Sequence, residues 1–164
     1  MMTKPRPLLG LFAGVAAGLI ASAAMVAFQA QAAKLLPDED GEGDPATVKA
    51  ADRLSEAVTG DPVPEAYRKA SGQAVHYITG AVLGGVYGVL TEYRSEASTG
   101  FGSAYGIVTS ALLDETIVPA LDLGAGPEDA SLASHAYGAA SHLVFGTLLE
   151  AMRLLLRGIS PSPK

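Results

Sequence analysis

The sequence contains no cysteine and no tryptophan, and only three histidines. The first absence excludes disulfides, thiolate metal sites and a cysteine nucleophile. Acids outnumber Lys and Arg by 17 to 11, for a formal charge of −6, so no basic surface exists to neutralise a nucleic-acid backbone. No GxSxG elbow, phosphate loop or dinucleotide fingerprint occurs. The segment GAVLGGVYG is glycine-rich, but nothing strand-like precedes it. The enzyme question stays open, with the balance against one.

What is present is apolar and small. Hydrophobic residues make up 49% of the chain, glycine occurs 19 times, and the mean hydropathy is +0.28. From Leu8 to Phe28 no residue is charged, a run close to the ~20 residues that a helix needs to cross a bilayer. Met1–Arg6 resembles a basic leader, and Ala30-Gln31-Ala32 fits a small-residue cleavage site. The apolar run exceeds the usual ~7–15 residues of such a leader, which favours a retained helix over about 8–30. Comparable apolar patterns return over 75–93, 101–121 and 135–156. The expected architecture is all-α: a polytopic membrane bundle of four glycine-rich helices in a single domain, 1–164. A soluble helical bundle is the alternative, because Gly, Ser, His and acids temper the last three segments.

Residues 32–74 differ in kind and read as a polar extramembrane insertion. LPDEDGEGDP is an unpatterned acidic loop. Asp44 is expected to cap a short helix with Pro45 at its first position, and Gly60 to end it. Val48, Ala51, Leu54 and Val58 would share its apolar face. A second start at DPVPEAYRKA would complete a small amphipathic hairpin.

The glycines fall on ridges. Gly10, Gly14, Gly18 and Ser22 stand at four-residue spacing in the first segment, and Gly80, Gly84 and Gly88 in the second. Gly102, Gly106 and Ser110 follow in the third, and Gly138 and Gly146 in the fourth. In water each would cost about 1 kcal/mol against alanine. In lipid, helices associate through close backbone approach, which small residues at this spacing allow. Compositional bias explains isolated glycines but not ridges in all four segments. The implied partners are the lipid bilayer and, through the same seams, a second copy or a larger membrane complex, with no nucleic acid.

Lys4 and Arg6 precede the first segment, Arg94 follows the second, and Arg153, Arg157 and Lys164 follow or end the last. The loop DLGAGPEDASLAS has no Lys or Arg. This bias places both termini inside and the insertion outside, although Lys34, Arg68 and Lys69 oppose it.

Ionisable residues inside a bilayer are costly and mark candidate sites. Asp114-Glu115 lies about seven residues before the outer end of the third segment, and His142 seven residues into the fourth. Both levels fall roughly 10 Å below the outer face. Adjacent residues point about 100° apart on a helix, so one carboxylate faces His142; Asp114 continues the Gly102–Gly106–Ser110 ridge and is chosen. The pair can lock two helices, relay protons, or bind a metal with Glu115 or His76. No HExxH or paired ExxH motif supports the metal, and no cofactor is required. A haem between His76 and His135 is a weaker option. Glu92 and Glu150 lie near the inner face, where they pair with Arg94, Arg153 or Arg157 or line a cation vestibule. YGVLTEYR (87–94) and FGTLLEAMR (145–153) echo one another and set these two acids at similar depth. Tyr77, Tyr87, Tyr105 and Tyr137 read as interfacial or interhelical aromatics.

VHYITGAVLGGVYGVL, DETIVPALDL and HAYGAASHLVFGTLLEAMR together resemble the YagU-like family of small bacterial inner-membrane proteins. The resemblance runs from the first helix to about Arg157. It is carried by His76 with its following glycines, Asp114-Glu115 with Pro119, and His142 with Gly146 and Glu150. It implies no catalytic activity. It does imply an association with acid tolerance, which would suit a proton-responsive cluster of Asp114, Glu115 and His142.

Overall fold

The computed structural model describes residues 5–34 and 43–159. All regular structure among them is helical. Helix α1 spans Pro7–Ala32, with proline at its first position, where a missing N–H costs nothing. Helix α2 spans Ala46–Thr59 and stops at Gly60, whose φ of 88° is the left-handed conformation that glycine adopts freely. Helix α3 runs over Glu65–Tyr93. A 3₁₀ turn at Ser95–Ser98 and a tight reversal at Gly102, φ 81°, lead into α4, Ser103–Leu112. A π-helical turn over Leu113–Ile117 joins α4 to the short α5, Val118–Ala120. Helix α6, Leu132–Ile159, completes the chain.

Three of these helices, α1, α3 and α6, are long and apolar enough to cross a membrane. Helix α1 packs between α3 and α6, and α4 packs on the other side of α6. Matched contacts give the directions. Gly10 meets Gly88 and Gly18 meets Gly80, so α1 and α3 are antiparallel. Gly102 meets Gly146, so α4 and α6 are antiparallel too. Tyr87 with Glu150, and Glu92 with Arg157, make α3 and α6 parallel. The bundle therefore has two ends: one carries Arg6, Glu92, Glu150 and Arg157, the other α2, His76, Asp114 and His135.

Contact along the two seams is backbone to backbone. A methyl group at Gly14 would overlap the carbonyl of Gly84, and one at Gly88 the carbonyl of Gly10. Across the second seam, a methyl at Gly106 would strike the carbonyl of His142, and one at Gly146 that of Gly102. Around them the buried side chains are few: Ala17, Ala21, Met25, Tyr87, Phe145 and Leu149 form the core. Large apolar residues lie on the outside. Ile78, Val82, Val86 and Leu90 are all exposed on α3, on the face away from its glycines.

Several local expectations change. The second segment starts at Glu65 rather than 75, because the polar residues of the insertion's end continue the same helix. At 1.5 Å per residue, α3 is ~43 Å long, so its first turns project beyond an apolar layer of ~30 Å. Asp44 does not cap α2. Pro45 occupies the cap position, and no side chain bonds the free N–H groups. Asp44 instead accepts from Arg68 at 2.8 Å. Val48 and Ala51 are buried, but Leu54 and Val58 face outward. The single helix expected over 101–121 is interrupted. Pro119 has no N–H to give the carbonyl of Glu115, and the π turn falls in the turn before it. Residues 35–42, including the acidic loop, lie outside the described residues.

The seams predict an asymmetry between neighbouring glycines. Gly84→Ala should cost about 2 kcal/mol or more, because only backbone can yield to the added methyl. Gly85→Ala should stay within about 0.5 kcal/mol, since its nearest atoms are the tips of Leu11 and Val15, at 3.0 and 3.1 Å. Reversible unfolding in mild detergent reads both.

Candidate functional site

The chemistry-bearing residues collect where the third segment loses its regularity. The five-residue π turn carries Asp114 and Glu115 on consecutive positions. Its wider winding turns both toward α6. Thr116 braces the turn, its hydroxyl donating to the carbonyl of Ala111, five residues back, at 3.0 Å. Wide turns of this kind recur at functional sites in helices.

Asp114 stands 3.3 Å from the Nε2 of His142, Oδ2 to nitrogen. The same oxygen accepts from the Ser110 hydroxyl at 3.0 Å. Gly138 makes room for it: a Cβ there would sit 3.0 Å from that oxygen. His142 is buried, with 7% of its side chain exposed, whereas Asp114 is 38% exposed. The other ring nitrogen, Nδ1, lies 3.2 Å from the hydroxyl of Thr109. That hydroxyl also reaches the carbonyl of Gly106 at 2.8 Å.

Thr109 has one proton for these two acceptors. If it goes to Gly106, Nδ1 must donate to Thr109, and Nε2 reaches Asp114 only through an added proton. If Thr109 rotates toward Nδ1, Nε2–H donates to the carboxylate and no added proton is needed.

Glu115 meets the other histidine of α6. Its Oε1 lies 2.7 Å from Nδ1 of His135, whose Nε2 is 3.1 Å from the carbonyl of Pro127. A carbonyl only accepts, so Nε2 carries a hydrogen, and contact with the carboxylate takes a second proton on the ring or one on Glu115. His135 and His142 stand seven residues apart on one face of α6. That spacing was a sequence signal for a second pair which the reading of Asp114 alone passed over.

His76 lies on α3, with Nε2 3.3 Å from the backbone carbonyl of Ser22. His76, Asp114 and His142 line one cavity of about 340 Å³. Its walls are mainly apolar, from Met25, Leu83, Ile117, Leu121 and Phe145. Ala46, Thr47 and Ala50 of α2 close one side. Helix α2 is tied to α3 by Arg68, which bonds Asp44 and Asp52, and by Val48 packed on Gly72. Arg53 ties it to Asp122 beyond α5 at 3.1 Å. In the sequence the insertion reads as a hairpin resting against the membrane or the bundle, without naming the residues it meets. Among the described residues no three His, Asp or Glu side chains are grouped closely enough to hold a metal ion.

The opposite end is saturated. Arg153 clasps Glu150 through two bonds of 2.7 and 2.8 Å, and the Tyr87 hydroxyl donates to Glu150 at 2.8 Å. Arg157 clasps Glu92 in the same way, at 2.7 and 2.8 Å, and the Arg6 N–H donates to Glu92 at 2.7 Å. Each acid of the two echoed segments thus has its own arginine, and the first segment's Tyr87 reaches the second's Glu150. With three donors on each, these carboxylates act as helix locks.

In comparisons with family models, with curated proteins and with solved structures, the chain has no match.

Removing Glu150 would leave Arg153 buried without a counter-charge. Glu150→Ala should cost about 3–5 kcal/mol, and Tyr87→Phe about 1 kcal/mol. A double-mutant cycle on detergent-solubilised protein should show coupling between them. Additive losses would contradict the shared bond.

Proposed function

We propose that this protein is an integral protein of the bacterial inner membrane that supports proton or ion homeostasis through the His142–Asp114 pair. The observation that carries the reading is the Thr109–His142–Asp114 chain, in which both ring nitrogens of a buried histidine face polar groups, 3.2 and 3.3 Å away. Histidine is suited to such a role because its charge changes between about pH 5 and 8. The pair opens to a cavity, so the proton has somewhere to go. Glu115 and His135, two turns nearer that end of α6, supply a second exchanging pair.

Immersion in lipid is supported by the inverted surface. Glycine and alanine occupy the helix contacts, while Ile78, Val82, Ile107 and Leu155 face outward. A fourth crossing would be made by α4, the π turn and α5 together, ~27 Å long and near the apolar thickness of a bilayer. Both termini are then cytoplasmic, with α2 on the far side. Kinship with the YagU-like proteins belongs to the same proposal and rests on His76, Asp114-Glu115 with Pro119, and His142 with Gly146 and Glu150.

A second reading, an accessory subunit of a larger membrane complex, draws on an outer groove between α1 and α3. Leu11, Val15, Val82, Gly85 and Val86 line it. A helix from another chain can lie there, and a reproducible foreign partner on native gels in mild detergent would favour this reading.

Proton response is tested with Asp114→Asn and His142→Gln in nanodiscs. The thermal stability of the wild type should change as the pH is lowered from 7.5 to 5. Both variants should flatten the stability profile, and cells depending on the protein should survive acid less well with either. Unaltered profiles and survival in both variants would refute the role.

A further inference from the structure

The cavity beneath α2 has a chemical character that proton exchange alone does not use. Among the described residues that line it, Asp114 is the one carboxylate, and no Lys, Arg or Glu joins it. The volume of about 340 Å³ lies in the range of small-ligand sites, which join apolar walls to a few placed polar groups. Both contacts of Asp114 described above fall on Oδ2, and more than a third of the side chain stays exposed. The carboxylate can therefore accept a further partner while His142 keeps its place beside Oδ2. Anions are repelled there, and a purely apolar occupant would strip water from the carboxylate with nothing in return.

We infer that this cavity binds a small lipophilic cation, an amine or quaternary ammonium, with its charge on Asp114 and its hydrocarbon against Met25, Leu83, Ile117, Leu121 and Phe145. Phe145 adds an aromatic wall, a surface that attracts alkylammonium groups. Ala50 of α2 bounds the cavity from the cap side, so its size there limits what fits. The inference deepens the reading above, because the cation shares with His142 the carboxylate on which that reading rests. It does not need the proton switch to operate.

The test uses the full chain in nanodiscs at one fixed pH of about 7.5, where His is mostly uncharged in general. The probes are benzyltrimethylammonium, whose charge cannot titrate, and neopentylbenzene, its neutral isostere. The cation should bind saturably, and Asp114→Asn should weaken it by about tenfold or more, the loss of one charge-assisted contact. Glu115→Gln, whose carboxylate faces His135 outside the cavity, should leave binding unchanged. Ala50→Phe, which fills the cavity from α2, should abolish it. Equal binding by Asp114→Asn, or displacement of the cation by the isostere at equal concentration, would overturn the inference. If Asp114→Asn does not fold, Ala50→Phe and the isostere comparison decide. A protein whose stability ignores pH but which binds the cation refutes only the proton reading.

Discussion

Backbone contact between helices is the constraint on which the rest of the structure depends. At Gly14 with Gly84, and at Gly106 with His142, there is no space for even one methyl group. Two helices this close exclude large side chains from between them, so those side chains move to the outer surface. Water would penalise that distribution, since it exposes leucine and valine while burying glycine. Lipid does not, because its chains are as apolar as the side chains. The seams also fix register. Sliding either seam by one residue would drive a side chain into a carbonyl, so the polar groups at both ends of the helices are held at matched levels.

The two ends use that register differently. At one end each carboxylate is clasped by an arginine, and in the Tyr87–Glu150–Arg153 cluster three donors converge on one carboxylate. Such groups are costly to bury and costly to disturb, and they lock α3 to α6. At the other end the carboxylates meet histidines, whose protonation is adjustable, and the site borders a cavity. A π turn, a proline and a separate capping helix replace regular packing there. The bundle thus joins arginine-locked carboxylates at one end to histidine–carboxylate contacts at the other.

Much of this was legible because small residues leave a periodic trace. Gly10, Gly14, Gly18 and their counterparts stand out at four-residue spacing, and they are the positions where the helices meet. The level of Asp114 with His142 followed from counting residues along two segments. The rest depended on features with no period. Glu65 to Ala74 looks like loop because it is polar, yet a helix leaving the apolar layer is polar on all sides. Leu54 and Val58 fit an apolar face, but α2 is bound by its other end, through Val48, Ala51 and the Arg68 ion pairs. The π turn comes from the N–H that Pro119 lacks, and its wider winding brings Glu115 to His135 as well as Asp114 to His142. A strict 100° step between neighbours allows only one of those contacts.

The central claim is that the inverted surface lies in lipid. The absence of native cysteine makes single-cysteine labelling clean. In sealed vesicles, cysteines placed at Val82, Ile107 and Leu155 should resist a membrane-impermeant maleimide and react once the protein is unfolded in detergent. A cysteine at Leu54, on the outer face of α2, should react from one side of the membrane only. Rapid labelling of Val82, Ile107 and Leu155 positions in intact vesicles would contradict the account, because it would put these residues in water.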